Sequence, residues 1–172
     1  MKNKRFKVII AGAGGIGRAA GLLLRELADF EVDLVLGDKF EKVAQGAADW
    51  ILRDSDKPGK VSSFVMPDKN DDPIYEKYFS EADIVLDCLP GNLAPRIARL
   101  ARQYHLHYAN LTEYVKETSE VMEIARNATK GFILQAGLAP GFINVLANGL
   151  YQQFTQNFGV EVVGSISMKV GA

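Results

Sequence analysis

Val8-Ile9-Ile10-Ala11-Gly12-Ala13-Gly14-Gly15-Ile16-Gly17 decides how this chain of 172 residues is read. Val8 to Ala11 form a short apolar run of the kind that makes a strand buried on both faces. Ile16 to Leu27 then form an apolar helical stretch. Between them, Gly12, Gly14 and Gly17 have the G-x-G-x-x-G spacing. Gly12 permits a tight turn, Gly14 lets a bulky anion approach the backbone, and Gly17 lets the helix pack close to the strand. Ala13, Gly15 and Ile16 complete the loop, and the helix beyond it presents free N–H groups and the positive end of its dipole. Glycines are common in turns, so the spacing alone is weak. The strand before it, the helix after it and the small Gly21 supply the context in which it signals a dinucleotide pyrophosphate site.

The second half of that signature is Asp38, which follows the apolar run Val32 to Leu36 and lies 21 residues after Gly17. A carboxylate at this place can accept hydrogen bonds from both ribose hydroxyls and repels a 2′-phosphate, so NAD is expected over NADP. The adjacent cation of Lys39 could tolerate a phosphate and pulls the other way. The competing role for Asp38 is to cap a helix that begins at Phe40.

Outward from this site, short apolar runs alternate with helical patterns. Val61 to Met66, Ile84 to Leu86, His107 to Leu111 and Phe132 to Gln135 read as further strands. Apolar stripes three and four apart (Phe40, Val43, Ala44, Ala47 and Ile51; Leu93, Ile97, Leu100, Ala101 and Tyr104; Val121, Ile124, Ala125 and Ala128) read as helices between them. Strict alternation predicts right-handed βαβ units and an α/β fold, a Rossmann-type doubly wound and mostly parallel sheet. The stretches 54–60 and 67–73 read as polar surface connections.

Composition narrows the classes. Twenty Lys and Arg against 21 Asp and Glu give a net charge of −1, which argues against a polybasic nucleic-acid binder. Hydrophobic residues at 48% and charged residues at 24% are ordinary globular values. No apolar run approaches the ~20 residues of a membrane span. The basic start leads into an apolar run too short for a signal peptide, so a cytoplasmic location is expected. One cysteine, Cys88, excludes an internal disulfide, and with only His105 and His107 beside it no metal site is expected. Cys88 reads as a small buried residue rather than a nucleophile, and the two histidines as structural or exposed.

Ligands in such sheets bind beyond the carboxyl ends of strands, so Cys88-Leu89-Pro90-Gly91-Asn92 and Asn110-Leu111-Thr112-Glu113-Tyr114 should face the crevice. Pro90 and Gly91 could equally serve only to turn the chain, and Thr112 only to cap the next helix. The C-terminal segment differs in kind. A helix is expected from Pro140, followed after Gly159 by an alternating strand with Val160, Val162, Ile166, Met168 and Val170 on one face. That strand has no partner pattern elsewhere in the chain. Residues 1–158 are therefore expected to form the nucleotide-binding domain, and 159–172 the first strand of a second, substrate domain that is missing here. Its unpaired edge invites self-association, so a homo-oligomer is expected.

Four stretches resemble the saccharopine dehydrogenase family, particularly its lysine dehydrogenase-like branch. They are VIIAGAGGIGRAAGLLL (8–24), ADIVLDCLPG (82–91), YANLTEYV (108–115) and QAGLAPGFINVLANGLY (135–151), and the closing VGSISMKVGA resembles the family's entry into its second domain. The resemblance implies a dehydrogenase that oxidises a CH–NH or CH–NH₂ carbon of a small amino-acid substrate by hydride transfer to nicotinamide. It implies that Gly12, Gly14, Ile16 and Gly17 hold the pyrophosphate, that Asp38 holds the adenosine ribose and that Leu89 and Pro90 line the crevice. Thr112, Glu113 and the 137–141 turn would lie nearer the nicotinamide, with Glu113 the one carboxylate available as a base or amine partner. A helix-start role for Glu113 competes with that assignment. Two other classes share the glycine turn: a stand-alone NAD(H)-sensing module and a methyltransferase. The glycine spacing argues against the methyltransferase. The 139–142 turn and the orphan strand favour the enzyme over the sensor, although this chain alone is expected to turn over little substrate.

Overall fold

Strand burial sets the architecture. In β1 (Arg5–Ala11) the four consecutive residues Val8, Ile9, Ile10 and Ala11 are all buried, so the strand is covered on both faces. The computed structural model, which describes residues 4–139, 141–159 and 162–169, shows how. β1 is followed by α1 (Gly15–Leu27), β2 (Glu31–Asp38), α2 (Glu41–Asp54), β3 (Val61–Val65), α3 (Pro73–Phe79) and β4 (Ile84–Asp87). A single 3₁₀ turn at Gly91–Leu93 leads to α4 (Ala94–Gln103), β5 (His107–Asn110), α5 (Val115–Ala125), β6 (Phe132–Ile133) and α6 (Phe142–Phe158).

The six strands form one sheet in the order β3-β2-β1-β4-β5-β6, and every pair is parallel. This is the doubly wound order, with its switch point between β1 and β4. Val8, Ile10, Val32, Leu34 and Leu36 pack on one face beneath α1 and α2, meeting Ala44, Ala47, Ala48 and Ile51. Ile9, Val35, Phe64 and Val85 pack on the other, beneath α3, α4 and α5. Each fully buried large aliphatic side chain contributes about 1.5–3 kcal/mol relative to exposure, so the two layers hold the sheet rigid under the loops at its carboxyl edge.

α3 begins at the last residue of the expected 67–73 connection and runs through 74–79, a stretch for which no element is expected. The Asp72 carboxylate accepts the Ile74 N–H at 3.0 Å and Pro73 occupies the first turn, a start signal for a helix of only seven residues. Its Tyr75 and Phe79 are fully buried, and the Tyr75 hydroxyl donates to the Pro67 carbonyl at 2.7 Å. Arg96 of α4 donates to Asn70 at 2.9 Å, tying this connection to the sheet's α4 side.

α6 is of another kind. It carries no charged residue over its 17 positions, and none of its residues is buried. Its helix begins at Phe142 rather than Pro140, because Gly141 holds a non-helical φ of +126° and accepts the Asn144 N–H. Pro140 itself lies outside the described residues. The expected C-terminal strand is described only over 162–169, where it joins no ladder and lines an apolar groove of about 610 Å³ with Ile143, Leu150 and Phe154 of α6. Val160, Glu161 and Val170 lie outside the described residues.

Candidate functional site

The glycine turn sits at the switch point, over the carboxyl end of β1. The Gly12 N–H donates to the Gly37 carbonyl at 2.8 Å, carrying the β1–β2 ladder one step past the strand. Gly12 has φ +94°, and a Cβ there would stand 2.9 Å from the Cys88 carbonyl carbon and 3.0 Å from the Leu89 nitrogen. The first turn therefore rests directly on the Cys88–Leu89 peptide. A Cβ on Gly17 would lie 1.9 Å from the Gly12 oxygen, so only glycine allows α1 to start this close to the turn. At Gly14 the same construction meets nothing within 4 Å. Among the described residues, the Gly14, Gly15 and Ile16 amides find no acceptor. An open concavity with outward N–H groups at a helix start fits a diphosphate.

Asp38 closes the adjacent strand and is half-buried. Its Oδ2 accepts the Ala13 N–H at 3.0 Å and its Oδ1 accepts the Phe40 N–H at 3.0 Å. It does not cap α2: Phe40 is the cap residue, and no side chain caps that end. The carboxylate instead tethers the glycine turn while retaining lone pairs for further donors. Lys39 is exposed beside it.

On the other side of β1, Leu89 is half-buried and Pro90 exposed. Gly91 packs against the β5 loop so closely that a Cβ would fall 2.1 Å from the Thr112 Oγ1 and 2.7 Å from Tyr114. Thr112 accepts the Tyr114 N–H at 3.4 Å and does not cap α5, whose cap residue is Tyr114. The structure thus brings Gly12 to Leu89, Asp38 to Ala13, and Gly91 to Thr112. Glu113 is exposed, precedes α5, and makes no hydrogen bond among the described residues.

A family model described as the saccharopine dehydrogenase NADP binding domain matches residues 8–134. The chain belongs to that family. No curated protein sequence matches it. Among solved structures, this saccharopine dehydrogenase-family domain is similar in fold to the apo saccharopine dehydrogenase (L-Glu forming) of Saccharomyces cerevisiae, with TM-score 0.66 and 18% identity over 90% of this chain and 32% of that one. It is similar to a myo-inositol 2-dehydrogenase of Lactobacillus plantarum (TM-score 0.64, 13% identity, 92% of this chain and 43% of that one). It is also similar to a shikimate 5-dehydrogenase of Mycobacterium fortuitum (TM-score 0.60, 16% identity, 90% of this chain and 51% of that one). The chain thus spans between a third and a half of the length of these proteins. The family description names NADP, whereas a carboxylate at the end of β2 argues for NAD. Common to both is a dinucleotide-binding domain of dehydrogenase type.

In this domain three buried polar residues form a network that the sequence does not announce: Asn110 is expected only to face the crevice, and Asp87 and Tyr108 carry no expected role. Asp87 ends β4 and is 2% exposed, and Asn110 ends β5 and is 1% exposed. Asp87 Oδ2 accepts the Tyr108 hydroxyl at 2.9 Å, and Tyr108 in turn accepts the Asn110 amide at 3.1 Å. Asp87 Oδ1 accepts the Leu89 N–H at 3.0 Å. Asn110 accepts the Gln135 N–H on its side chain at 3.0 Å and the Ala136 N–H on its carbonyl at 2.9 Å. Burial pushes the Asp87 carboxyl up to about 6, against the lowering effect of the Leu89 and Tyr108 donors. Burial also raises the Tyr108 hydroxyl, with the Asp87 charge adding to it. Cys88 is half-buried, and its thiol is pushed up to about 12, by burial first and by Asp87 second. It is no nucleophile at neutral pH. Both histidines are exposed: His107 Nδ1 accepts the Gly131 N–H at 3.0 Å, and His105 holds a turn at φ +54°.

Proposed function

We propose that this domain binds NAD(H) for a dehydrogenase that oxidises a CH–NH or CH–NH₂ carbon of an amino acid or amine. The observation that carries the cofactor reading is the tether between Asp38 and the Ala13 N–H, which joins the open glycine turn to the strand-end carboxylate. The open Gly14 turn and the first amides of α1 would hold the diphosphate. Asp38 spends one lone pair of each oxygen on Ala13 and Phe40, and the remaining pairs suit two ribose hydroxyls. Leu89, Pro90 and Thr112 would line the nicotinamide side. Bound there, the dinucleotide supplies the hydride acceptor, while protein groups position the reacting carbon and exclude water. Glu113, exposed and free of hydrogen bonds among the described residues, is the carboxylate proposed as partner of the substrate amine. The family match supports the amine-oxidising class.

Calorimetric titration of the 172-residue chain with NADH and NADPH tests the cofactor assignment. NADH is expected to bind the tighter, and Asp38→Ala to weaken it about tenfold or more, the scale of losing charge-assisted hydrogen bonds. Tighter NADPH binding would overturn the NAD assignment, and binding of neither would overturn the dinucleotide reading. The chain alone is expected to reduce NAD poorly or not at all with lysine or saccharopine. Turnover at an ordinary enzymatic rate would show that no further substrate domain is needed.

A further inference from the structure

We propose that the buried Asp87–Tyr108–Asn110 cluster is the positioning device of the dinucleotide site, setting the height of the Cys88–Leu89 peptide on which the Gly12 turn rests. This proposal builds on the dinucleotide reading above. The chain of contacts is short. Gly12 packs on the Cys88 carbonyl and the Leu89 nitrogen with no room for a Cβ. The Cys88 N–H donates to the Ala11 carbonyl at 2.8 Å, which fixes one end of that platform. Asp87 Oδ1 takes the Leu89 N–H and fixes the other end. Asp87 is in turn held by Tyr108, and Tyr108 by Asn110.

Asn110 extends the same rigidity sideways. Its side chain and its carbonyl hold the Gln135 and Ala136 amides where the chain leaves β6. The cluster thus joins the turns after β4 and β6, and β5 between them, and all three strands end on the side where the crevice opens. Such a network costs desolvation, and a half-satisfied one is worse than an apolar core. Here Asp87, Tyr108 and Asn110 all find partners. Full satisfaction of buried polar groups at the foot of a ligand crevice is the pattern of a support that holds site geometry. None of the three residues needs to touch the ligand: they act through the Leu89 and Gln135 backbone.

The test compares NADH dissociation constants for the wild-type chain, Asp87→Ala, Asp87→Asn, Tyr108→Phe and Val85→Ala, each paired with its urea unfolding midpoint. Val85 is a fully buried β4 residue without a polar role and controls for lost packing. Asp87→Ala is expected to weaken NADH about tenfold, and Tyr108→Phe about threefold to tenfold. Asp87→Asn keeps an acceptor for the Leu89 N–H and is expected to stay within about threefold of wild type. Val85→Ala, though destabilised, should bind within about twofold. Amide hydrogen exchange should quicken at Leu89 and Gln135 in Asp87→Ala and not in Asp87→Asn. If Asp87→Ala does not fold, Tyr108→Phe, which keeps the ring, carries the comparison. Wild-type binding with equal loss in the alanine and asparagine variants, or with loss that merely tracks unfolding, overturns the positioning role and leaves the dinucleotide reading standing. No wild-type binding of NADH or NADPH overturns both.

Discussion

Asp38 and Asp87 stand on either side of β1, at the carboxyl ends of β2 and β4, and they begin alike. Each Oδ1 accepts the N–H two residues further on, Phe40 in one case and Leu89 in the other, both at 3.0 Å. Each Oδ2 then reaches a neighbouring element, Ala13 at 3.0 Å for Asp38 and the Tyr108 hydroxyl at 2.9 Å for Asp87. They part company over water. Asp38 keeps solvent access, and Asp87 is 2% exposed. One strand-end carboxylate therefore remains available to a ligand, and the other is spent on holding loops. The same side chain at the same topological place keeps lone pairs open to solvent on one side of β1 and lies buried beside an aromatic hydroxyl on the other.

Gly12 links the two sides, and substituting it should do the greatest damage. Gly12→Ala puts a Cβ against the Asp87-held peptide at a φ of +94°. Strain of this kind costs on the order of 1–3 kcal/mol, and the turn must also lift from its platform. NADH affinity is expected to fall about thirtyfold to a hundredfold, measured by calorimetry, with folding retained by circular dichroism. Unchanged affinity would mean that the platform and the cradle are independent.

A smaller change should invert the ligand preference from the Asp38 side alone. Asp38→Ser with Lys39→Arg removes the charge that repels a 2′-phosphate and adds a guanidinium that can pair with one. The NADPH/NADH affinity ratio is expected to rise about tenfold or more. A ratio that does not move would place the ribose elsewhere.

The two aspartates also differ in how legible they are in sequence. Asp38 is found from spacing, because the glycine turn, the strand and the acidic residue lie within one βαβ unit. Asp87 is only one more polar residue after Ile84 to Leu86. Its meaning depends on the β4–β5 register, which places Asp87 beside Asn110 and Val85 beside Tyr108. That register is a long-range fact with no local signature. All six strands were readable from apolar runs and the doubly wound, mostly parallel class from alternation, since buried parallel strands announce themselves. α3 was not, because seven residues are too few to show a period, although Asp72-Pro73 marks its start. The start of α6 was set two residues early by Pro140, as the positive φ of Gly141 does not show in composition.

Buried Asp87 also predicts an acid-side gain in stability. Its folded carboxyl is pushed up to about 6, above the ~3.9 of an unfolded aspartate. Between those values the folded state binds more protons than the unfolded one, so stability rises as pH falls through 6 toward 4. Urea unfolding should show a gain of about 1–2 kcal/mol from this group between pH 7.5 and pH 5. Asp87→Asn should lack that increment, so its stability advantage over wild type should be largest at pH 7.5 and smaller at pH 5. An identical pH slope in both proteins would mean that water reaches the Asp87 carboxylate, and the contrast with Asp38 would dissolve.

The smallest effect is expected at Cys88, whose backbone does all that the site asks of it. Its N–H bonds Ala11 and its carbonyl carbon seats Gly12, whereas its thiol, pushed up to about 12, stays protonated at neutral pH. Neither contact uses the side chain. Cys88→Ala should therefore leave NADH affinity within about twofold, even though trimming a half-buried group lowers stability by an amount on the order of 1 kcal/mol. A tenfold loss of affinity would place the sulfur, and not the peptide, against the glycine turn, and the platform argued for Asp87 would have to be rebuilt around a side chain.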